Sequence, residues 1–361
     1  MRSVHLVRKD DHILYSLQPN SQFQSKTTWL EHVELVHVAT PEVDLEEVVL
    51  STSFLGFELA APVMIAGMTG GTPLAKKLNL IFARVAEELR IALGVGSQRV
   101  ALQFPEVRES FSVVREAAPS VPIIANIGAS QLVEGLSARA IEELVEMVRA
   151  DAIAVHLNPL QEALQREGDA RYAGFLDRLH ELVEASPVPV IVKETGGGVS
   201  REVAKKLAET GIKGIDVGGA GGTSFARGEG LRAFVRGDAL LYWLSEDFAE
   251  WGIPTAASIL EVRAAASSLT LIATGGLRSG LDAAKAIRLG ADVCGFAYPV
   301  LRAAMLNGYE GAHAYMRRVI EGLRRALFLT GSRTIEEFRR APVVVTGVLR
   351  EWMAQRGLTI P

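Results

Sequence analysis

The sequence predicts an α/β fold, a (β/α)8 TIM barrel with an N-terminal extension and C-terminal helices. Three observations carry that expectation. Short apolar runs alternate with amphipathic stretches of helical period along most of the chain. Counting the runs gives eight, each followed by a helix pattern, which is the rhythm of a barrel. Nearly every run ends in glycine beside polar or charged side chains, the composition of a ligand-binding rim. A doubly wound sheet is the alternative, because closure of the strands cannot be read from one sequence.

Residues 1–61 precede the first run and form the N-terminal extension, with a small strand pair expected around 32–38 and 48–59. The eight runs fall at 62–66, 91–95, 122–126, 152–157, 188–193, 214–217, 269–274 and 292–297. Several are rich in Val and Ile, as strands buried on both faces should be. Between them, LNLIFARVAEELR (78–90) and SARAIEELVEMVRA (137–150) have helical spacing. SREVAKKLAETG (200–211) adds a Ser200 cap, the first-turn acid Glu202 and the terminal Gly211. One connection is unusually long. Residues 218–253 form the sixth βα loop, hold SFARGEGLRAFVRGD (224–238), and are a candidate lid; an ordinary surface loop is the alternative. Pro254 then opens the sixth helix, at 256–267. Within 305–361, helices are expected at 308–329 and 345–356, capping the barrel or forming a subunit contact. The whole chain, 1–361, reads as a single barrel domain.

Composition narrows the function. Lys+Arg total 38 and Asp+Glu 42, a formal net charge of -4, so neither nucleic acid nor an anionic membrane is implied as a partner. The one cysteine, Cys294, excludes an intrachain disulfide and a cysteine-based zinc site, and suits a reducing, cytoplasmic setting. The N-terminal residues lack the apolar stretch of a signal peptide, and the apolar stretch 59–68 is too short to span a bilayer. HExxH, GxSxG and Walker motifs do not occur.

Chemistry should gather where barrel strands end. TGGLRSGLDAAKAIRLG (274–290) puts two glycines at a strand end and a Ser279/Asp282 capping pattern at a helix start. Backbone N–H groups there favour an anion, Arg278 adds charge, and Cys294–Gly295 lies on the neighbouring strand. This reads as a phosphate site, against the alternative of a Gly-rich turn. Lys193 ends a buried strand, suited to an electron-rich cofactor group or to an ion pair with Glu194 or Asp216. GSQR (96–99) supplies Ser97 and Arg99, and RKDDH (8–12) supplies Arg8 and Lys9, which can hold a diphosphate or be a solvated charge run. In HLNPLQE (156–162), His156 and Asn158 share a strand face with Ala152 and Ala154, and Gln161 and Glu162 follow on the loop. A single acid beside basic groups can hold Mg2+ together with substrate phosphate. A structural histidine and a solvated glutamate are the alternatives.

Together AGMTGG, GSQR, HLNPLQE, KETGGGVS, DVGGAGGTSF, GGLRSGLDAAKAIRLGAD and the N-terminal RKDDH resemble the type II isopentenyl-diphosphate Δ-isomerases, in order, from about residue 8 to about residue 330. The resemblance implies an FMN-dependent barrel of isoprenoid biosynthesis that interconverts isopentenyl and dimethylallyl diphosphate by an allylic proton shift. It further implies reduced FMN as acid/base, NADPH as flavin reductant, Mg2+, and a homo-oligomer, tetramer or octamer. Carried onto matching positions, Gly67, Met68, Thr69, Ser97, Asn126, Lys193, Gly218 and Thr223 would contact FMN. Gly275, Gly276, Leu277, Arg278, Cys294 and Gly295 would hold its phosphate. Arg8, Lys9, Ser97, Gln98 and Arg99 would meet the substrate diphosphate, with His156 and Asn158 nearby. Gln161 would sit over the reacting carbons as the catalytic side chain, and Glu162 would bind Mg2+.

Gly218 stands where some members carry a hydroxyl, so only its backbone can contribute. Glu229, in the Gly-rich RGEG (227–230), would correspond to an acid of the lid. Two rival readings are an FMN-dependent 2-hydroxy acid oxidase or dehydrogenase and a non-catalytic flavin-binding barrel. The first needs a histidine near the seventh strand, whereas the histidines stand at 5, 12, 32, 37, 156, 180 and 313. The second leaves RKDDH, GSQR and LQE without a role.

Overall fold

Eight parallel strands, each hydrogen-bonded to the next and the last to the first, close into a barrel. They are β1 (Val63–Ile65), β2 (Ala92–Gly94), β3 (Ile123–Gly128), β4 (Ala152–Leu157), β5 (Val190–Glu194), β6 (Gly214–Asp216), β7 (Thr270–Ala273) and β8 (Val293–Phe296). The computed structural model describes Asp10, residues 13–166 and residues 168–361. Closure decides between the barrel and the doubly wound sheet: β8 pairs with β1, which an open sheet does not allow.

Side chains alternate along each strand. Met64, Ala92, Ile124, Ala152, Ala154, Ile191, Ile272 and Val293 therefore meet inside the barrel, and Phe54 and Leu59 join them. Their neighbours Ile65, Leu93, Ile153, Val155, Val192 and Ile215 face outward into the layer between strands and helices.

Phe54 and Leu59 belong to a hairpin, Thr52–Phe54 with Phe57–Leu59. Leu55 and Gly56 both have positive φ, 51° and 88°, as a two-residue type I′ turn needs. This corrects the expected pairing of 32–38 with 48–59. The second segment folds on itself through its own turn. The first, Val33–Leu35, pairs antiparallel with Val343–Val345 from the far end of the chain. That C-terminal strand also displaces part of the helix expected from 345, which begins at Gly347.

The helices flanking the barrel start where capping side chains stand. Thr72, Ser137, Ser200 and Ser279 each accept a backbone N–H from the first turn. The long sixth connection contains two helices, Phe225–Val235 and Ala239–Asp247, before Pro254 precedes the helix Thr255–Ala265. Tyr298–Leu329 runs on from β8, starting ten residues earlier than 308 and broken at Asn307–Gly308. The last helix docks through Glu261, which is fully buried and accepts from Trp352 Nε1 at 2.9 Å and Arg356 Nε at 2.8 Å. Among the described residues no helix is long and apolar enough to cross a membrane.

Phe54 is 1% exposed inside the foot of the barrel. Phe54→Ala should cost about 3–5 kcal/mol of stability, read as a lower urea midpoint. An unchanged midpoint would show that the hairpin does not help close the core.

Candidate active site

At the C-terminal rim the strand ends surround a cavity of about 300 Å3. Gly67, Met68, Thr69, Asn126, Lys193 and Gly218 line it on the barrel side. Strand parity explains much of this. Asn126, His156, Lys193 and Asp216 all occupy inward positions; the last three are register partners across β4 to β6, and Asn126 on β3 pairs with Ala154, one inward position below His156. Gly67 lies so close to β2 that a Cβ there would come within 2.2 Å of Val95 O. A Cβ on Gly218, at φ 46°, would come within 2.0 Å of Glu194 O. Thr69 Oγ1 is buried at this wall without a hydrogen-bond partner, an unfilled position for a ligand atom.

One end of the cavity is built from backbone. Gly275 and Gly276 have φ 101° and 79° and line it with Leu277, Arg278 and Gly295. Ser279 Oγ accepts from Asp282 N at 3.1 Å, and Asp282 Oδ2 accepts from Arg278 N at 2.9 Å, so the expected capping pattern forms. The Arg278 guanidinium lies 4.9 Å over the Tyr298 ring and donates to Gln22 Oε1 at 3.1 Å. Burial works against its charge, and among the described residues no carboxylate forms an ion pair with it. An anion at this helix start would relieve that cost. Thr223 lines the wall beside it and accepts from Gln22 Nε2 at 3.2 Å.

The opposite wall carries the side chains of HLNPLQE. His156 Nδ1 lies 2.8 Å from Asn126 Oδ1. The amide nitrogen of Asn126 already donates to Val95 O, so its oxygen accepts and Nδ1 bears the proton. Asn158 is the hub. Its Nδ2 donates to Gln161 Oε1 at 3.2 Å and to Glu162 Oε1 at 2.9 Å, and its Oδ1 accepts from Tyr172 OH at 3.2 Å. Pro159 starts the short helix Pro159–Leu164, which places Gln161 and Glu162 on the cavity. Gln161 Nε2 donates to Glu229 Oε1 at 2.9 Å; Glu229 also accepts from Gln165 Nε2 at 2.8 Å and pairs with Arg232 Nη1 at 2.5 Å. The sixth loop thus reaches Gln161 through a buried carboxylate. Glu162 Oε2 accepts from Asp169 N at 2.7 Å.

Several expected residues stand elsewhere. Ser97 and Arg99 line the cavity, but Gln98 is fully buried behind them. Its Nε2 donates to Leu144 O and its Oε1 accepts from Asn126 N, both at 2.9 Å, so both ends of its amide are engaged away from the ligand side. Cys294 faces outward by strand parity and donates to Ala283 O at 3.6 Å; Gly295 alone of the pair lines the cavity. Arg8 and Lys9 lie outside the described residues. Lys193 makes neither ion pair weighed for it among the described residues; its ammonium donates to Glu194 O at 3.3 Å.

The sequence offered Glu194 only as an ion-pair partner for Lys193, though an acid followed by Thr195 and three glycines was the signal of a further role. It lines the cavity, and Glu194 Oε2 accepts the N–H groups of Thr195 and Gly196 at 2.6 Å and that of Gly197. Burial pushes its pKa up to about 7, against the pull of those donors. Tyr172, which steadies Asn158, has no sequence signal, since it stands in an irregular segment.

Among the described residues no group of three or more His, Cys, Asp or Glu side chains could hold a metal. On the 156–162 wall the described residues present the carboxylate of Glu162, which would fit an ion that completes its shell with phosphate oxygens and water.

Comparison with known proteins adds sequence and fold relatives. A family profile described as FMN-dependent dehydrogenase matches residues 135–345. A protein of Sulfurisphaera tokodaii named isopentenyl-diphosphate delta-isomerase is 45% identical over 359 residues, covering 98% of this chain and 95% of its own. One of Thermococcus kodakarensis with the same name is 46% identical, covering 97% and 94%. Among solved structures, a mandelate oxidase variant with (S)-mandelic acid superposes at a TM-score of 0.65 with 19% identity, covering 96% of this chain and 98% of its own. That likeness speaks to fold alone.

The cavity wall near Thr223 is strapped by residues 21–28, whose anchor is Glu250. Burial disfavours the Glu250 carboxylate, but N–H donors of Gln24 and Lys26 at 2.9 and 2.8 Å, with Arg227, outweigh it and hold the pKa down to about 2. A depressed carboxylate pKa stabilises above the unfolded value, 4.5, and that stability is lost as pH falls through about 2. Glu250→Gln should therefore lower the melting temperature at pH 7, with the gap to wild type closing toward about pH 2. A gap independent of pH would overturn this role.

Proposed function

The chain belongs to the isopentenyl-diphosphate delta-isomerase family, and from that premise we propose that it interconverts isopentenyl and dimethylallyl diphosphate by an allylic proton shift, with FMN as cofactor and Mg2+ holding the diphosphate. One observation supports this reading above the others. The glycine-lined anion end at 275–278 and the Asn158–Gln161–Glu162 wall face a single cavity. A phosphorylated cofactor and a metal-bound diphosphate then fit at separate ends.

The residues fit FMN. Gly275, Gly276, Leu277, Arg278 and Gly295 would hold its phosphate, and Gly67, Met68, Asn126, Lys193, Gly218 and Thr223 its remainder, with Thr69 Oγ1 gaining a partner. When bound and reduced, FMN supplies the acid/base group for the alkene, and NADPH is the proposed reductant. Arg99, with Arg8 and Lys9, would neutralise the diphosphate, Ser97 would donate a hydrogen bond to it, and Glu162 would share Mg2+ with it. Gln161 is held at both ends, by Asn158 and by Glu229, so its amide orientation is fixed. A neutral amide there contributes a hydrogen bond without competing as a strong base, as proton transfer to an alkene requires. Leu301 and Ile13 add apolar surface that excludes water.

Further parts of the proposal are a cytoplasmic location and a homo-oligomer, a tetramer or octamer. Phe234, Leu240, Trp243 and Trp251, exposed along the sixth connection, support association between copies. The second reading, a 2-hydroxy acid oxidase or dehydrogenase, is favoured only by the family profile and the shared fold. His313 is no base for it, since it lies against Glu88 at 3.2 Å and stacks on Tyr309, off the cavity.

With anaerobically reduced FMN, deuterium from solvent should enter isopentenyl diphosphate with no net NADPH use per turnover. Steady NADPH oxidation matched to substrate would point to the oxidoreductase instead. Glu162→Gln should cut activity on the order of 100-fold and weaken the Mg2+ dependence while FMN stays bound. Loss of flavin from that variant would sink the metal assignment.

A further inference from the structure

Beneath the main cavity lies a second, much smaller chamber of about 20 Å3 inside the barrel. Lys193, Asp216 and Asn126 are its polar lining; the rest is largely apolar, including Met64, Ile191 and Ile272. Lys193 and Asn126 form part of both walls, so the chamber sits directly under the floor of the site. Lys193 on β5 and Asp216 on β6 are register partners, and strand parity turns both side chains inward.

Asp216 is 3% exposed. Its Oδ1 accepts from Thr274 Oγ1 at 2.5 Å and from Gly218 N at 3.3 Å. Among the described residues it forms no direct ion pair, and the Lys193 ammonium is engaged only at 3.3 Å with Glu194 O. An ammonium and a carboxyl group thus face one largely apolar chamber without touching, an arrangement that is costly unless something links them. The chamber has the size of one water, and its lining offers a donor and acceptors for it.

We propose that this chamber binds a single water bridging Lys193 to Asp216, and that Asp216 is the counter-charge that sets how strongly Lys193 acts on the flavin above. The inference rests on the reading that FMN fills the main cavity with Lys193 against it. Lys193 favours an electron-rich, reduced ring; the carboxylate behind it offsets part of that effect. Asp216 acts through Lys193 and is a positioning residue. Burial raises its pKa, while Lys193, Thr274 Oγ1 and Gly218 N–H oppose that rise.

The test is the midpoint potential of FMN bound to the holoenzyme. Asp216→Asn keeps the shape and removes the charge. It should shift the potential upward, equivalent to on the order of tenfold tighter binding of reduced than of oxidised FMN. Lys193→Gln should shift it downward, and in the double variant Asp216→Asn should add little. An unchanged potential in an FMN-loaded Asp216→Asn variant overturns the proposal. Wild-type protein that binds no FMN overturns the underlying reading instead. Should Asp216→Asn fail to fold, a high-resolution crystal structure of the wild type decides. One ordered water between Lys193 Nζ and Asp216 supports the bridge; a direct ion pair or a dry chamber refutes it.

Discussion

Closure of the parallel barrel is the constraint on which everything else depends. Once β8 pairs with β1, every second side chain on each strand must point into a narrow interior. Below, that space holds Met64, Ala92, Ile124, Ala152, Ile191 and Val293, sealed at the foot by Phe54 and Leu59. Toward the rim the same parity presents Asn126, His156, Lys193 and Asp216. These polar groups are affordable because the cavity lies above them and because neighbours satisfy them. The apolar layer beneath anchors the strands whose ends must stay fixed.

The rim works by dividing labour between backbone and side chains. At the 275–278 end, glycines let the chain approach closely while Ser279 and Asp282 fix the helix start, and Arg278 supplies the charge, held by Tyr298 and Gln22. At the 156–162 wall, Asn158 ties Gln161, Glu162 and Tyr172 together, and Glu229 reaches across from the sixth connection to hold Gln161. A change in that connection is therefore felt at the centre of the site. The residue strap anchored by Glu250 couples the N-terminal segment to the same connection.

Much of the fold was legible because parallel strands buried on both faces are written as short Val/Ile runs. The eight runs lie within a few residues of β1–β8, and the caps Ser200 and Ser279 were readable from local chemistry. Pairings between distant segments were not. Nothing near Val33 indicates that its partner is Val345, because antiparallel pairing of two short strands leaves no local signature. Within the site, the loops rich in Gly and polar residues fall at the strand ends, and most of the described candidate residues line one cavity. Gln98 and Cys294 show the limit of that reading. Neighbours in a motif can face opposite ways, and only packing decides which does.

By itself the sequence determined the βα rhythm, the glycine-rich strand ends, and the residue types at the rim, since these follow from local periodicity and turn chemistry. Tertiary structure alone decided that the sheet closes, that Glu229 reaches Gln161 from sixty-eight residues away, and that Lys193 and Asp216 face one small chamber. Those outcomes depend on how distant segments share space. Hydrogen bonds and buried charges are settled only when the partners, far apart in the chain, are brought together and water is excluded between them.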